Sequence, residues 1–350
     1  MDKRIVLAVA GAGKTTLLLN KLNENERFLI VTYTKANYEN IKKEIINKFS
    51  YIPSNIKLYT YFVFLYNFCF KPFEVNLSTN RNIRTRGLDF KTKDNEHKYN
   101  ENQIAYYMGS QSKKIYSSRL SKLCNKEKMF NKIKRRIEKY FDYFFIDEVQ
   151  DFAGNDFNFI NNLINCNVNI LYVGDFYQHT FDTSRDGNLN SGLYADFNKY
   201  VNRIKNNHDD LCVDLHSLEK SMRCKEKVCE FIRNNLDIKI YGNEDKDVIL
   251  TEVIDTNEIC KIMNNDNIIK LFYQNSGKYK AKTENWGNCK GLTYNEVCVI
   301  LNPKTYKLFN KNELNKLSMS TRNKLYVACT RTRNNLYFIA ENNIKQYKIN

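Results

Sequence analysis

The apolar positions of this chain fall into two rhythms. IVLAVA (residues 5–10) is an unbroken apolar run with the length of a strand buried on both faces, and TTLLLNKL (15–22) puts Leu17, Leu18 and Leu22 on one side of a helix. YFDYFFIDEVQD (140–151) reads as an aromatic strand ending in two adjacent carboxylates, and ILYVGD (170–175) and DNIIKLFYQNS (266–276) read as further strands. Apolar strands alternating with helical segments predict an α/β chain with parallel sheets. YTYFVFLYNFCF (59–70) is an aromatic stripe assigned mostly to core. QSKKIYSSRLSKLCNKEKMFNKIKRRIEKY (111–140) predicts basic amphipathic helix, with Leu120, Leu123, Met129, Phe130 and Ile133 as its apolar positions. Its cations Lys113, Lys114, Arg119, Lys122, Lys126, Lys128, Lys132, Lys134, Arg135, Arg136 and Lys139 face only Glu127 and Glu138. Such a helix can track a phosphate backbone or simply carry a solvated face.

Composition narrows the picture. At 350 residues the chain is long enough for two domains with proper cores. Its apolar runs fall far short of the roughly 20 residues that cross a bilayer, and its start lacks the plan of a signal peptide. The expectation is a cytoplasmic protein with no membrane partner. The ten cysteines are scattered without a C-x-x-C pair and read as small core residues in a reducing compartment. A net charge of +16 with 24 Tyr and 22 Phe suits a polyanion held by phosphate contacts and stacking, although a solvated basic surface gives the same count.

Between the first strand and the first helix lies AGAGKTT (10–16). Ala10, Gly11, Ala12 and Gly13 can curl backbone N–H groups round a phosphate, Lys14 can reach the β- and γ-oxygens, and Thr15 can sit on Mg²⁺ beside Thr16 at the helix N-terminus. The usual pattern has Gly where this chain has Ala8. Asp147, at a strand end, can hold Mg²⁺ opposite Thr15, and Glu148 can take a proton from the attacking water.

These motifs resemble superfamily 1 helicases of the UvrD/Rep type. LAVAGAGKTT (7–16) resembles motif I, VTYTKANYENIKKEI (31–45) motif Ia, LYTYFVFLYNF (58–68) the Thr-aromatic segment after it, and DEVQD (147–151) motif II. LYVGDFYQHTF (171–181) resembles motif III, LEKSMRCKEKV (218–228) motif IV, NCKGLTYNEVCVIL (288–301) motif V, and LYVACTRTR (325–333) motif VI. The resemblance implies two RecA-like parallel-sheet domains with ATP between them and single-stranded nucleic acid across the top. A small, mainly helical insertion interrupts the first domain. On this reading the first domain covers 1–205 (core 1–69 and 140–205, insertion about 70–139), and the second covers 206–350 without the large insertion of relatives.

Several roles come only from the resemblance. Gln178 would sit at the γ-phosphate, Arg223 and Arg331 would supply positive charge to the transition state, and Gly291 would line the nucleotide site. Thr34, Lys35, Thr60, Tyr61, Phe176, Tyr177 and Phe181 would meet the nucleic acid. The cofactors would be ATP and Mg²⁺. The expected activity is ATP-dependent translocation or unwinding on single-stranded DNA first and RNA second, 3′-to-5′, with a protein partner for unwinding or effector function. An ATPase subunit gating a partner nuclease and a non-catalytic nucleic-acid-binding module are the alternatives.

The chain also departs from the UvrD/Rep pattern. Too few residues precede Ile5 for the glutamine segment that reads adenine, Met222 replaces a stacking tyrosine, DTSRDG follows Phe181, and Thr293 replaces a glutamate.

Overall fold

The computed structural model describes residues 1–77, 84–91, 99–109, 111–180, 189–190, 192–206, 208–243 and 248–349, with backbone only at 75–77. They divide into two compact units. The first comprises 1–6, 15–173 and 181–214, and the second 7–14, 174–180 and 215–350.

The first unit is organised on a six-stranded sheet. Its strands are β1 (Lys3–Leu7), β2 (Phe28–Thr32), β3 (Ile56–Thr60), β4 (Tyr143–Asp147), β5 (Asn169–Gly174) and β6 (Cys212–Asp214), in the order β3-β2-β4-β5-β1-β6. The β2–β3, β2–β4, β4–β5 and β1–β6 pairs are parallel. Every residue of β2 and all but the first of β4 are buried, as expected of strands covered on both faces. Register lines up Thr60, Thr32 and Asp147 at the carboxyl ends of three adjacent strands. That edge is where open α/β sheets bind ligands. The helices are α1 (Lys14–Lys21), α2 (Lys35–Phe49), α3 (Ser117–Cys124), α4 (Glu127–Tyr140), α5 (Gly154–Leu163) and α6 (Phe197–Lys205).

The apolar run at 5–10 is strand only as far as Leu7. Beyond it the amide of Ala8 bonds to the Gly174 carbonyl (2.8 Å) and that of Val9 to the Leu218 carbonyl (3.1 Å), so these residues leave the ladder.

The basic segment forms two helices, α3 and α4, separated at Asn125–Lys126, with Leu120, Leu123, Met129 and Ile133 buried as expected. Arg119 corrects the reading of an all-solvent cationic face. It is 1% exposed, donates to the Tyr106 carbonyl at 2.6 Å, and lies 3.8 Å from the centre of the Tyr106 ring. Arg136 likewise covers Phe68, while Lys128, Arg135 and Lys139 remain exposed and Lys132 is half-buried.

The second unit is built on a five-stranded sheet of β7 (Leu250–Glu252), β8 (Ile268–Phe272), β9 (Thr283–Asn285), β10 (Glu296–Leu301) and β11 (Leu336–Ala340). The order is β7-β11-β10-β8-β9, parallel throughout. Its helices are α7 (Glu226–Leu236), α8 (Thr256–Asn264), α9 (Pro303–Phe309) and α10 (Met319–Cys329). Residues 276–282 lead straight into the edge strand β9. One large apolar cluster joins Val228, Ile232, Trp286, Val297, Val299, Leu325 and Tyr326, and Ala8, Val9, Ala10 and Ala12 are packed into it. The methyl of Ala8, where the usual loop has glycine, is thus core. Eight of the ten cysteines are buried, and Cys212 and Cys260 are exposed. The fold class read from the sequence, α/β on parallel sheets, is the one observed.

Candidate nucleotide site and its relatives

The glycine-rich loop belongs to the second unit, in residues 7–14. Gly11 and Gly13 adopt φ of +72° and +88°, the left-handed region that favours glycine. Gly11 has a second constraint. A Cβ there would stand 2.6 Å from the Cβ of Arg223 and 2.9 Å from Ser221 Oγ, so the loop backbone lies directly against the strand Lys220–Lys225. The Met222 amide donates to the Gly11 carbonyl (2.9 Å), which fixes that contact. Met222 itself is exposed. Lys14 is buried, with Nζ 3.4 Å from the Val9 carbonyl.

Arg223 and Arg331 meet through one residue. Arg223 Nη1 donates to the Thr330 carbonyl (3.2 Å), and Arg331 Nη2 donates to Thr330 Oγ1 (3.1 Å). Arg331 is almost wholly buried and also donates to the carbonyls of Val327 (2.8 Å) and Leu292 (3.2 Å). These bonds hold the guanidinium in a fixed orientation, which arginine's planar fork allows. Cys224, whose thiol lies 3.6 Å from the same Thr330 carbonyl, has its pKa lowered, first by a hydrogen bond from Cys229, against burial, then by Ser221 and the two guanidinium charges. Gly291, at φ +82°, makes the exposed turn before Leu292.

Gln178 is buried beside Asp175. Its Nε2 donates to Asp175 Oδ2 (2.8 Å), the Tyr177 amide donates to Asp175 Oδ1 (3.1 Å), and the Tyr326 hydroxyl donates to Oδ2 (3.0 Å). The same hydroxyl accepts the Ala10 amide at 2.8 Å. Asp175, Ser221 and Tyr326 were not among the residues singled out from sequence. Asp175 carried a signal, a carboxylate closing an apolar strand, but Tyr326 sits in LYVACT and reads as core.

Thr15, Thr16, Asp147 and Glu148 belong to the first unit. Thr15 is half-buried and Thr16 exposed at the start of α1. Asp147 is 2% exposed at the end of β4. Glu148 has φ +57° and ψ +49°, a left-handed conformation rare for a side chain of this size, and its Oε2 accepts Gln150 Nε2. A buried strand-end carboxylate and a helix-start hydroxyl are hard-oxygen donors of the kind Mg²⁺ takes, so Asp147 and Thr15 fit that ion by their chemistry.

The residues assigned to nucleic acid divide. Lys35 is exposed at the start of α2, and the Thr34 hydroxyl caps that helix by accepting the Asn37 amide (3.1 Å). Thr60 is half-buried at the end of β3, and Tyr177 is half-buried. Tyr61 corrects the sequence reading, since it is fully buried and its hydroxyl donates to Asp156 Oδ1 (3.0 Å). Phe176, 1% exposed, is likewise core and offers no open ring face. Phe181 lies outside the described residues.

Residues 91–340 match the viral superfamily 1 RNA helicase core domain, and the chain belongs to that family. The matched range starts beyond the glycine-rich loop, so that loop stands on its own residues and geometry. No curated protein matches the chain. Among solved structures it is similar to the helicase nonstructural protein 10 of an arterivirus, at 13% identity and a TM-score of 0.51, over 96% of this chain and 59% of that one. At that identity the likeness shows the fold alone. The PRRSV helicase (13% identity, TM-score 0.46, 99% of this chain and 54% of that one) is also matched. So is the arterivirus protein in complex with DNA (13%, 0.48, 96% and 60%). The chain spans three fifths or less of these helicases' lengths.

Proposed function

We propose that this chain hydrolyses ATP to drive movement along single-stranded nucleic acid. The observation that carries the reading is the loop at 7–14, where Gly11 and Gly13 hold positive φ, Gly11 leaves no room for a side chain, and Lys14 lies folded over the turn. The amides of Ala10 and Ala12, expected from sequence to meet the phosphate, are instead taken by the Tyr326 hydroxyl and the Val9 carbonyl, so this reading assigns the phosphate to the amides of Gly11, Gly13 and Lys14. Thr15 and Asp147 would hold Mg²⁺, which supplies charge neutralisation on the β- and γ-phosphate oxygens when bound. Lys14 binds the terminal phosphates. Glu148 accepts the proton of the attacking water, and Gln178 orients that water. Arg223 and Arg331 stabilise the negative charge that builds in the transition state, a contribution of roughly 10³–10⁵ in rate for an arginine finger.

The UvrD/Rep resemblance favours DNA and 3′-to-5′ movement, whereas the family to which the chain belongs is described by an RNA helicase core. The reading therefore commits to single strands and lets one assay decide between the sugars. ATP turnover is measured with no polymer, with single-stranded DNA and with single-stranded RNA across a salt series. Stimulation that falls as salt rises is expected, because phosphate contacts release counterions. Lys14→Ala and Glu148→Gln should each remove stimulated turnover from a folded chain. No stimulation at any salt, or full turnover in either variant, overturns the proposal.

A further inference from the structure

The Tyr326 hydroxyl occupies a position that neither core packing nor the proposed chemistry explains. Tyr326 is fully buried in α10, its ring set edge-on to that of Tyr177 at 6.0 Å. Apolar burial alone would be served as well by phenylalanine, which carries no hydroxyl needing a partner. Here the hydroxyl is used twice. It accepts the Ala10 amide from the phosphate loop and donates to Asp175 Oδ2, the oxygen that also accepts the Gln178 side-chain amide. Three segments far apart in sequence, residues 7–14, 174–180 and α10, are joined at one oxygen atom. The neighbouring bond from the Ala8 amide to the Gly174 carbonyl (2.8 Å) ties the first two segments again at the backbone.

From this geometry we infer that Tyr326 is a positioning residue for hydrolysis, holding the phosphate loop and Gln178 in one register through Asp175. The inference rests on the ATPase reading above. The direction of each bond follows from chemistry. An amide N–H only donates and an ionised carboxylate only accepts, so a group bonded to both must do both, and a hydroxyl can. Tyr326 must therefore stay protonated. Burial, then the adjacent Asp175 carboxylate, pushes its pKa well above the ordinary 10. Asp175 accepts from Tyr326, Gln178 and the Tyr177 amide together. Removing the hydroxyl leaves Gln178 a carboxylate with one restraint fewer, and leaves the Ala10 amide buried without its acceptor. A misplacement of about 1 Å in a catalytic group costs on the order of 10²-fold in rate.

The test is a double-mutant cycle on Tyr326→Phe and Gln178→Ala, read as kcat and KM for ATP at saturating single-stranded polymer. Tyr326→Phe is expected to lower kcat roughly tenfold or more while KM for ATP moves by less than about threefold. In the Gln178→Ala background the same substitution should lower kcat little further, because both act through one contact. A purely structural tyrosine would alter thermal stability and leave kcat of the folded enzyme unchanged. Folding is followed by emission of Trp286, the single tryptophan, which shares the apolar cluster of Ala10 and Tyr326. Should Tyr326→Phe fail to fold, Asp175→Asn is read instead, with the same loss of kcat expected. Wild-type kcat in the folded variant, or losses that multiply independently with Gln178→Ala, overturns the inference. Absence of ATP turnover in the wild-type chain instead overturns the reading beneath it.

Discussion

Adding a single methyl at Gly11 tests the placement of the phosphate loop most directly. The position is left-handed, which costs an L-residue about 1–2 kcal/mol. The new Cβ also falls 2.6 Å from Arg223 Cβ and 2.9 Å from Ser221 Oγ, inside the separation that real Cβ atoms tolerate. One of those two is the root of a side chain fixed to its backbone, so the loop or the strand Lys220–Lys225 must move. Overpacking of this kind costs about 1–3 kcal/mol. Against these stands about 0.4–1 kcal/mol regained because alanine has less freedom than glycine in the unfolded chain. The net expectation for Gly11→Ala is a loss of roughly 1–5 kcal/mol. Gly192 supplies the control, having nearly the same φ, +75°, with nothing within 4 Å of its imagined Cβ. Gly192→Ala carries the backbone penalty without the collision and should lose only about 0–1.6 kcal/mol. Both variants are measured by urea unfolding, followed by circular dichroism and, for Gly11→Ala, by Trp286 emission. ATP turnover is measured in parallel and is expected to collapse in Gly11→Ala alone. If the two variants unfold at the same urea concentration, the close approach of Gly11 to Arg223 is wrong.

Three further expectations follow from other parts of the molecule. Arg119→Ala should lower stability by about 2–3 kcal/mol in chemical denaturation, since it removes a buried bond to the Tyr106 carbonyl and a stacked cation; Arg119→Lys should not restore it, because an ammonium cannot lie flat on the ring. Replacing Lys128, Lys132, Arg135 and Lys139 of α4 together by glutamine should flatten the plot of log affinity for single strands against log salt by about 0.7 per lost phosphate contact; an unchanged slope would mark that stripe as merely solvated. The Glu74 carboxylate accepts Lys71 Nζ (2.7 Å) and the Thr85 amide, and although burial opposes them these bonds set its pKa below the ordinary 4.5. Its contribution to stability is therefore complete above pH 4.5 and disappears as pH falls through the lowered value. Unfolding midpoints of wild type and Glu74→Gln should converge in acid and separate toward neutrality.

What the sequence made legible follows from what each signal encodes. Continuous apolar runs such as FLIVT and YFFID announce strands covered on both faces, and β2 and β4 are so buried. Glycines at fixed spacing before a lysine announce a loop that needs positive φ, and Gly11 and Gly13 have it. Aromatic residues carry no such address. Tyr61 and Phe176 sit in motif-like segments, but the hydrogen bond to Asp156 and the burial that close over them come from residues distant in sequence. The cations of 111–140 hide the same ambiguity, for Arg119 faces a tyrosine ring while Arg135, on the next helix, faces solvent. A run of charges gives the sign of a surface but not which members reach it. Tyr326 illustrates the limit most sharply, because in LYVACT its ring obeys the core pattern and only its hydroxyl departs from it.

Glu148 gives one more physical reason for placing the chemistry at the end of β4. A non-glycine residue in the left-handed region costs about 1–3 kcal/mol, and a chain free of other demands would put glycine or asparagine there. Its neighbours over-determine the conformation. Asp147 is fixed in register with Thr32 on β2, and the turn Val149–Asp151 that follows Glu148 is buried in all three of its residues. Between that strand and the buried turn the peptide takes up the left-handed conformation at Glu148, whose carboxylate is part-exposed beside a sequestered Asp147. Two adjacent acids thereby acquire different surroundings, the buried one suited to a cation and the accessible one to a proton from water. Relaxing the strain with glycine would remove the side chain that makes the conformation useful, so the cost and the proposed chemistry belong to the same peptide unit.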